Sequence, residues 1–183
     1  MQKCNTFFRE MTLMNDKKIR TLVLSALFAA LCTVMTLVIQ IPSPMNGYVN
    51  LGDCAVLLAA WILGPWYGGA AAGIGSMIAD LLVSPHWAPG TLVIKLVMGV
   101  AAGLLFRALR GSRGKLLPAQ LVSGVVAEAI MVLGYFGYAC LILGRGLAAA
   151  ASIPGNLVQA VVGLVMAGVV YVLLERSHAL ERL

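Results

Sequence analysis

The stretch Tyr48-Val49-Asn50-Leu51-Gly52-Asp53 sets an amide and a carboxylate in a turn-forming patch between two long apolar runs. Further along, Asp80, Lys95, Glu128, Asn156 and Gln159 interrupt apolar sequence in the same way. Carboxylates, an ammonium and primary amides are the chemistry of recognition, able to accept from and donate to the polar edge of a small molecule. A polar group left uncompensated in an apolar medium costs several kcal/mol, so each of these side chains needs a partner or a ligand.

Catalytic patterns do not accompany them. The chain has no G-x-x-x-x-G-K-[ST] phosphate loop, so it is not expected to hydrolyse ATP itself. Gly73-Ile74-Gly75-Ser76 does not fit a nucleophile elbow, no Ser–His or Cys–His arrangement lies at membrane depth, and no H-E-x-x-H pair offers zinc. Cys4, Cys32, Cys54 and Cys140 are scattered without a C-x-x-C pair and read as small core residues. The expectation is a chain that is not an enzyme and carries no cofactor or metal.

The elements that must hold these groups are membrane helices. Hydrophobic residues make up 61% of the 183 and charged ones 11%, with a mean hydropathy of +0.94, which is too apolar for a soluble domain. Apolar segments fall at roughly 19–41, 52–64, 65–83, 89–110, 116–143 and 154–175. Gly64-Pro65 divides the second from the third, because proline restricts the residue before it and lacks a donor. The fold expected is an all-α integral membrane protein, six transmembrane helices in a compact bundle. Residues 1–13 read as an N-terminal tail and 14–183 as one membrane domain. The apolar run after Lys17, Lys18 and Arg20 is longer than a signal-peptide h-region and stays as the first helix.

Charge orients the bundle. Eleven of the thirteen Lys and Arg residues precede the first span, surround the fourth-to-fifth connection (Arg107, Arg110, Arg113, Lys115) or follow the last span. With six spans these regions share one side, so the positive-inside rule places both termini of a multi-pass membrane protein in the cytoplasm. The basic balance then reports topology and contact with the lipid bilayer, and no nucleic-acid partner is expected.

Several positions keep two meanings. Asp80 and Lys95 flank a short loop, where they form a structural ion pair or contact a ligand. Asp53 either caps the second helix or meets a ligand. Glu128 has no cation near it in sequence and needs a spatial partner or a ligand. Asn156 and Gln159 share one face at the start of the sixth helix, behind Pro154. Tyr48, Trp87, Tyr135 and Tyr138 stack on a ring or form an interfacial belt, with the belt favoured for Trp87. His86 and His178 read as solvated loop residues. Gly69/Gly73 and Gly99/Gly103 are small-x-x-x-small pairs expected to pack helices three and four together, while Ala26 and Ala30 make a face that packs inside or docks another membrane protein.

Taken together, Gly47-Tyr48-Val49-Asn50-Leu51-Gly52-Asp53, Gly64-Pro65 with the small-residue run to Asp80, Ala88-Pro89-Gly90-Thr91 leading to Lys95, and Pro154-Gly155-Asn156 resemble the substrate-binding S component of an energy-coupling factor (ECF) vitamin transporter, over about residues 15–175. The resemblance implies capture of a vitamin or vitamin precursor, with release driven by a transmembrane coupling protein and two cytoplasmic ATPases. It implies that Ala26 and Ala30 dock the coupling protein and that the loop from Ile41 to Asn50 covers the substrate. Substrate contacts implied are Tyr48, Asn50, Asp53, Lys95, Glu128, Tyr135, Asn156 and Gln159. Riboflavin-binding relatives commonly carry a Lys three residues after the helix-six Asn, where this chain has Gln159. An amide pair with a carboxylate suits pyridoxine or the hydroxymethylpyrimidine precursor of thiamine, with riboflavin or another B vitamin as the alternative. Two other classes compete: a proton-coupled secondary transporter using Asp53, Asp80 and Glu128, and a structural membrane subunit that binds no ligand.

Overall fold

A computed structural model describes residues 2–43, 47–111 and 115–182. Six α-helices follow one another: α1 (Gln2–Val38), α2 (Gly52–Leu63), α3 (Pro65–Val83), α4 (Ala88–Arg110), α5 (Leu116–Gly137) and α6 (Ile153–Arg176). Between α1 and α2 runs an antiparallel hairpin of β1 (Gln40–Ser43) and β2 (Gly47–Asn50), with Gln40 opposite Asn50 and Pro42 opposite Tyr48. The sequence reading had a covering loop here, not strands. Residues 44–46 of that loop, Arg113 of the basic connection and Met1 lie outside the described residues.

Three boundaries differ from expectation. The backbone of residues 2–13 is helical and continuous with α1, as suits a stretch with no glycine or proline before Pro42. Helix five leaves the α-helix at Gly137 and continues as a π-turn over Tyr138–Ile142, and a 3-10 turn over Gly146–Ser152 leads into α6. Among the described residues, five helical segments have the length and apolarity to cross a bilayer by themselves, Asp16–Val38, Pro65–Val83, Ala88–Arg110, Leu116–Ile142 and Gly146–Arg176, and Gly52–Leu63 is a shorter apolar helix. At 1.5 Å per residue, the 12 residues of α2 reach only about 18 Å.

That short helix forms the centre of the bundle. Every residue from Gly52 to Trp61 is buried, which is why it is apolar on all sides. Leu57, Met98, Met131 and Val56 are the largest fully buried apolar side chains, and the buried Trp61, Phe106 and Tyr171 make a ring cluster at the end away from the hairpin. Gly64 turns the chain at φ +85°, a conformation suited to glycine, and Pro65 opens α3.

Small residues set the helix spacing, as lipid-embedded packing requires. A methyl group added to Gly99 would stand 2.8 Å from Gly69 Cα, and one on Gly73 would stand 2.8 Å from the Leu92 carbonyl, so α3 and α4 touch backbone to backbone. On the other side of α3, Gly75 lies against the Ala29 carbonyl, and Thr33 Oγ1 donates to Gly75 O over 2.8 Å. This turns Ala29 and Cys32 of α1 inward and leaves Ala26 and Ala30 exposed on the outer face.

Candidate functional site

The hairpin end of the bundle gathers polar side chains from the hairpin and five helices. Asp53, in the first turn of α2, is fully buried, and its two carboxylate oxygens take different partners. Lys95 of α4 forms an ion pair with Oδ1, and both side chains are almost wholly buried. Gln159 Nε2 of α6 donates to Oδ2 over 2.7 Å. The same amide accepts, through Oε1, the backbone N–H of Asn50 at 2.8 Å, and Asn50 Oδ1 accepts the N–H of Gly52 at 2.8 Å. One chain of bonds therefore links the hairpin, α6, α2 and α4.

A second centre surrounds Asp80 near the end of α3. Tyr48 on β2 donates its hydroxyl to Oδ1, and Thr91 of α4 donates to Oδ2. Thr91 Oγ1 also lies 3.0 Å from the Tyr135 hydroxyl, and the Tyr135 ring sits 5.5 Å from the Lys95 ammonium. Tyr135 of α5 thus bridges the two centres. Burial and the neighbouring Asp80 carboxylate hold the Tyr48 phenol above its ordinary pKa, so it stays a donor across physiological pH.

Three expectations give way to the geometry. Lys95 pairs with Asp53, not Asp80: it lies one turn along α4 from Thr91, facing α2, while hydroxyls occupy Asp80. Asp53 does not cap α2; its side chain turns to Lys95 and Gln159, and Asn50 takes the free N–H at the helix start. Trp87 is buried rather than set in a belt, with Arg145 5.2 Å above its ring and Tyr135 edge-on at 5.8 Å. Its neighbour His86 is exposed, as expected.

Glu128 of α5 completes the cluster. It is 4% exposed, and the absent side chain of Gly163 makes room where Asp53 and Glu128 approach each other. Neither Glu128 oxygen meets a hydrogen-bond donor among the described residues. Asn156 is half-buried at the start of α6 and stands outside the linked network. Thr91 and Met98, whose Sδ is 4.0 Å from Lys95 Nζ, belong to the site but were not singled out in the sequence. The signal was present for Thr91, four residues before Lys95 on the same helical face.

The cluster is unbalanced. Asp53, Asp80 and Glu128 bring three buried carboxyl groups against the single buried ammonium of Lys95. Hydroxyls satisfy Asp80, and Lys95 with Gln159 satisfies Asp53, which leaves acceptor capacity at Glu128. Chemically, such an arrangement can accept N–H or O–H donors beside the aromatic ring of Tyr135.

The chain is similar to known proteins along most of its length. Residues 16–176 match the family described as ECF-type riboflavin transporter, S component. A protein of Pyrococcus woesei without an assigned role is 39% identical over 137 residues, which is 74% of this chain and 88% of that one. The thiamine precursor transporter HmpT of Lactococcus lactis subsp. cremoris is 30% identical over 174 residues, 93% of this chain and 97% of that one. A solved structure of the S component of a bacterial ECF transporter shares the fold with a TM-score of 0.61 at 20% identity, covering 88% of this chain and 96% of the other.

Proposed function

We propose, for a chain that belongs to the family of ECF-type riboflavin transporter S components, that it captures a compact donor-bearing heterocycle of the hydroxymethylpyrimidine kind at the Asp53–Lys95–Glu128–Gln159 cluster. Members of this family are membrane transport subunits that bind a vitamin or vitamin precursor, and they are not enzymes. The observation that carries the substrate class is Glu128, a buried carboxyl group with both oxygens free of donors beside an already satisfied Asp53. An exocyclic amine or ring N–H of an aminopyrimidine supplies the missing donor, and the ring lies against Tyr135. The relative that is 30% identical over nearly the whole chain carries a thiamine precursor in its name, which supports the same choice.

Site roles follow from this reading. Glu128 takes the ligand's donor, and Gln159, Lys95 and Asp53 form the polar floor. Tyr48 and Asn50 close the hairpin over the ligand through their bonds to Asp80 and Gln159. Asn156, half-buried and outside the network, is free to turn towards the ligand's second polar edge. Riboflavin is the second reading, favoured by the family description; Gln159 stands against it, because it supplies a neutral amide three residues after Asn156.

The wider assembly completes the proposal. A transmembrane coupling protein docks on the exposed Ala26/Ala30 face, two cytoplasmic ATPases drive the cycle, and the bundle topples in a bacterial plasma membrane to deliver its site inward. The basic end formed by Lys17, Lys18, Arg20, Arg107, Arg110, Lys115 and Arg176 supports cytoplasmic termini. Titrating detergent-purified protein with hydroxymethylpyrimidine, pyridoxine, thiamine and riboflavin tests the substrate. Saturable binding of the pyrimidine, at least tenfold tighter than riboflavin, is expected; preference for riboflavin overturns it.

A further inference from the structure

At the end of the bundle away from the hairpin, α5 and α6 part to leave a groove of about 340 Å³. Its walls are Leu117, Leu121, Leu164, Val165, Val169 and further apolar residues to Leu173. Along α6 the lining runs from Leu164 to Leu173, about 14 Å at 1.5 Å per residue. Among the described residues that line it, Gln120 is the one polar side chain. That side chain is 2% exposed, and neither its amide nitrogen nor its oxygen has a hydrogen-bond partner among the described residues. A buried primary amide left unpaired costs free energy, so the groove is built for an occupant that is apolar over most of its length and carries an acceptor near Gln120.

Charge identifies the head of that occupant. Lys115 is exposed immediately before α5, two residues ahead of Leu117, and among the described residues no side chain caps the N–H groups at that positive helix end. Arg176 is exposed in the last turn of α6, three residues beyond Leu173. An anionic group at this end meets two cations and the uncapped helix start. The order from the surface inward is then cation, amide, hydrocarbon wall. Phosphate, glycerol ester and acyl chain follow one another in the same order.

We infer that the α5–α6 groove is a binding site for an anionic phospholipid, with an acyl chain along Leu121 and Leu164, an ester carbonyl accepting from Gln120, and the phosphate between Lys115 and Arg176. The site is separate from the vitamin cluster at the other end of the bundle and does not depend on what is bound there. Gly168 lines the groove and provides a clean probe: an added Cβ meets no atom within 4 Å, so Gly168→Leu starts from open space and extends into the groove.

The experiment is native mass spectrometry of the purified full chain with dioleoyl-phosphatidylglycerol or dioleoyl-phosphatidylcholine, paired with thermal melts at increasing lipid. The expected result is one retained phosphatidylglycerol, bound at least tenfold more tightly than phosphatidylcholine. Gly168→Leu and Gln120→Leu should each weaken it tenfold or more, and Lys115→Gln with Arg176→Gln should abolish the preference for the anionic lipid. Equal binding of the two lipids by the unaltered chain overturns the inference. So does phosphatidylglycerol binding unchanged in Gln120→Leu, a near-isosteric variant that keeps the apolar packing.

Discussion

Replacing Glu128 by Gln separates a ligand contact from a structural carboxylate, because the two roles move stability and affinity in opposite directions. In the free protein both Glu128 oxygens lack donors among the described residues, so Gln keeps the shape of the side chain and breaks no existing hydrogen bond. The melting temperature of the unliganded variant should equal or exceed that of the parent. With ligand bound, the variant turns an amide N–H where the parent offers a second carboxyl oxygen. Leaving a buried ligand donor without its acceptor costs about 1–3 kcal/mol, so hydroxymethylpyrimidine affinity should fall about 5- to 150-fold. Isothermal titration calorimetry in detergent measures the second quantity and a thermal melt the first. Affinity within twofold of the parent, or a destabilised free variant with normal affinity, refutes the assignment of Glu128 to the ligand.

Lys95→Met removes the only ammonium from a pocket of three carboxyl groups and should cost about 3–5 kcal/mol by leaving Asp53 unpaired, whereas Lys95→Met with Asp53→Leu should recover most of that loss; denaturant melts that show additive losses contradict the pairing. Tyr48→Phe deletes the bond from the hairpin to Asp80, and at about 1 kcal/mol it should raise the ligand dissociation rate roughly fivefold in a stopped-flow assay. Gly99→Ala drives a methyl into Gly69 and should destabilise by about 1–3 kcal/mol, while Gly137→Ala, with open space around it, should melt at or above the parent temperature. Ala26→Trp with Ala30→Trp should leave vitamin binding intact and abolish co-purification with the coupling protein; retained assembly contradicts that docking face.

Much of the fold was legible because lipid leaves few options for apolar sequence. Gly64-Pro65 marked the break between α2 and α3, and the Gly69/Gly73 and Gly99/Gly103 pairs marked the contact of α3 with α4. What escaped depended on contacts distant in sequence. A hairpin of two four-residue strands has little stability of its own, so Gln40–Asn50 reads as a loop until Asp80 and Gln159 are seen to hold it. The same holds for Lys95: sequence proximity suggested Asp80, but its partner lies 42 residues away on α2. The central, buried place of α2 was not legible, because a helix buried in protein and one facing lipid are equally apolar. The polar residues of the site were visible as interruptions in apolar runs, although their pairing was not.

The central claim is that the Asp53–Glu128 cluster binds a small vitamin precursor. A thermal-shift screen of the purified chain against B vitamins and their precursors tests it most directly, since binding to the folded state raises apparent stability by mass action. The account predicts a saturable rise in melting temperature with hydroxymethylpyrimidine that is lost in Glu128→Gln. A folded sample that responds to no vitamin or precursor, or responds equally in the parent and in Glu128→Gln, would contradict it.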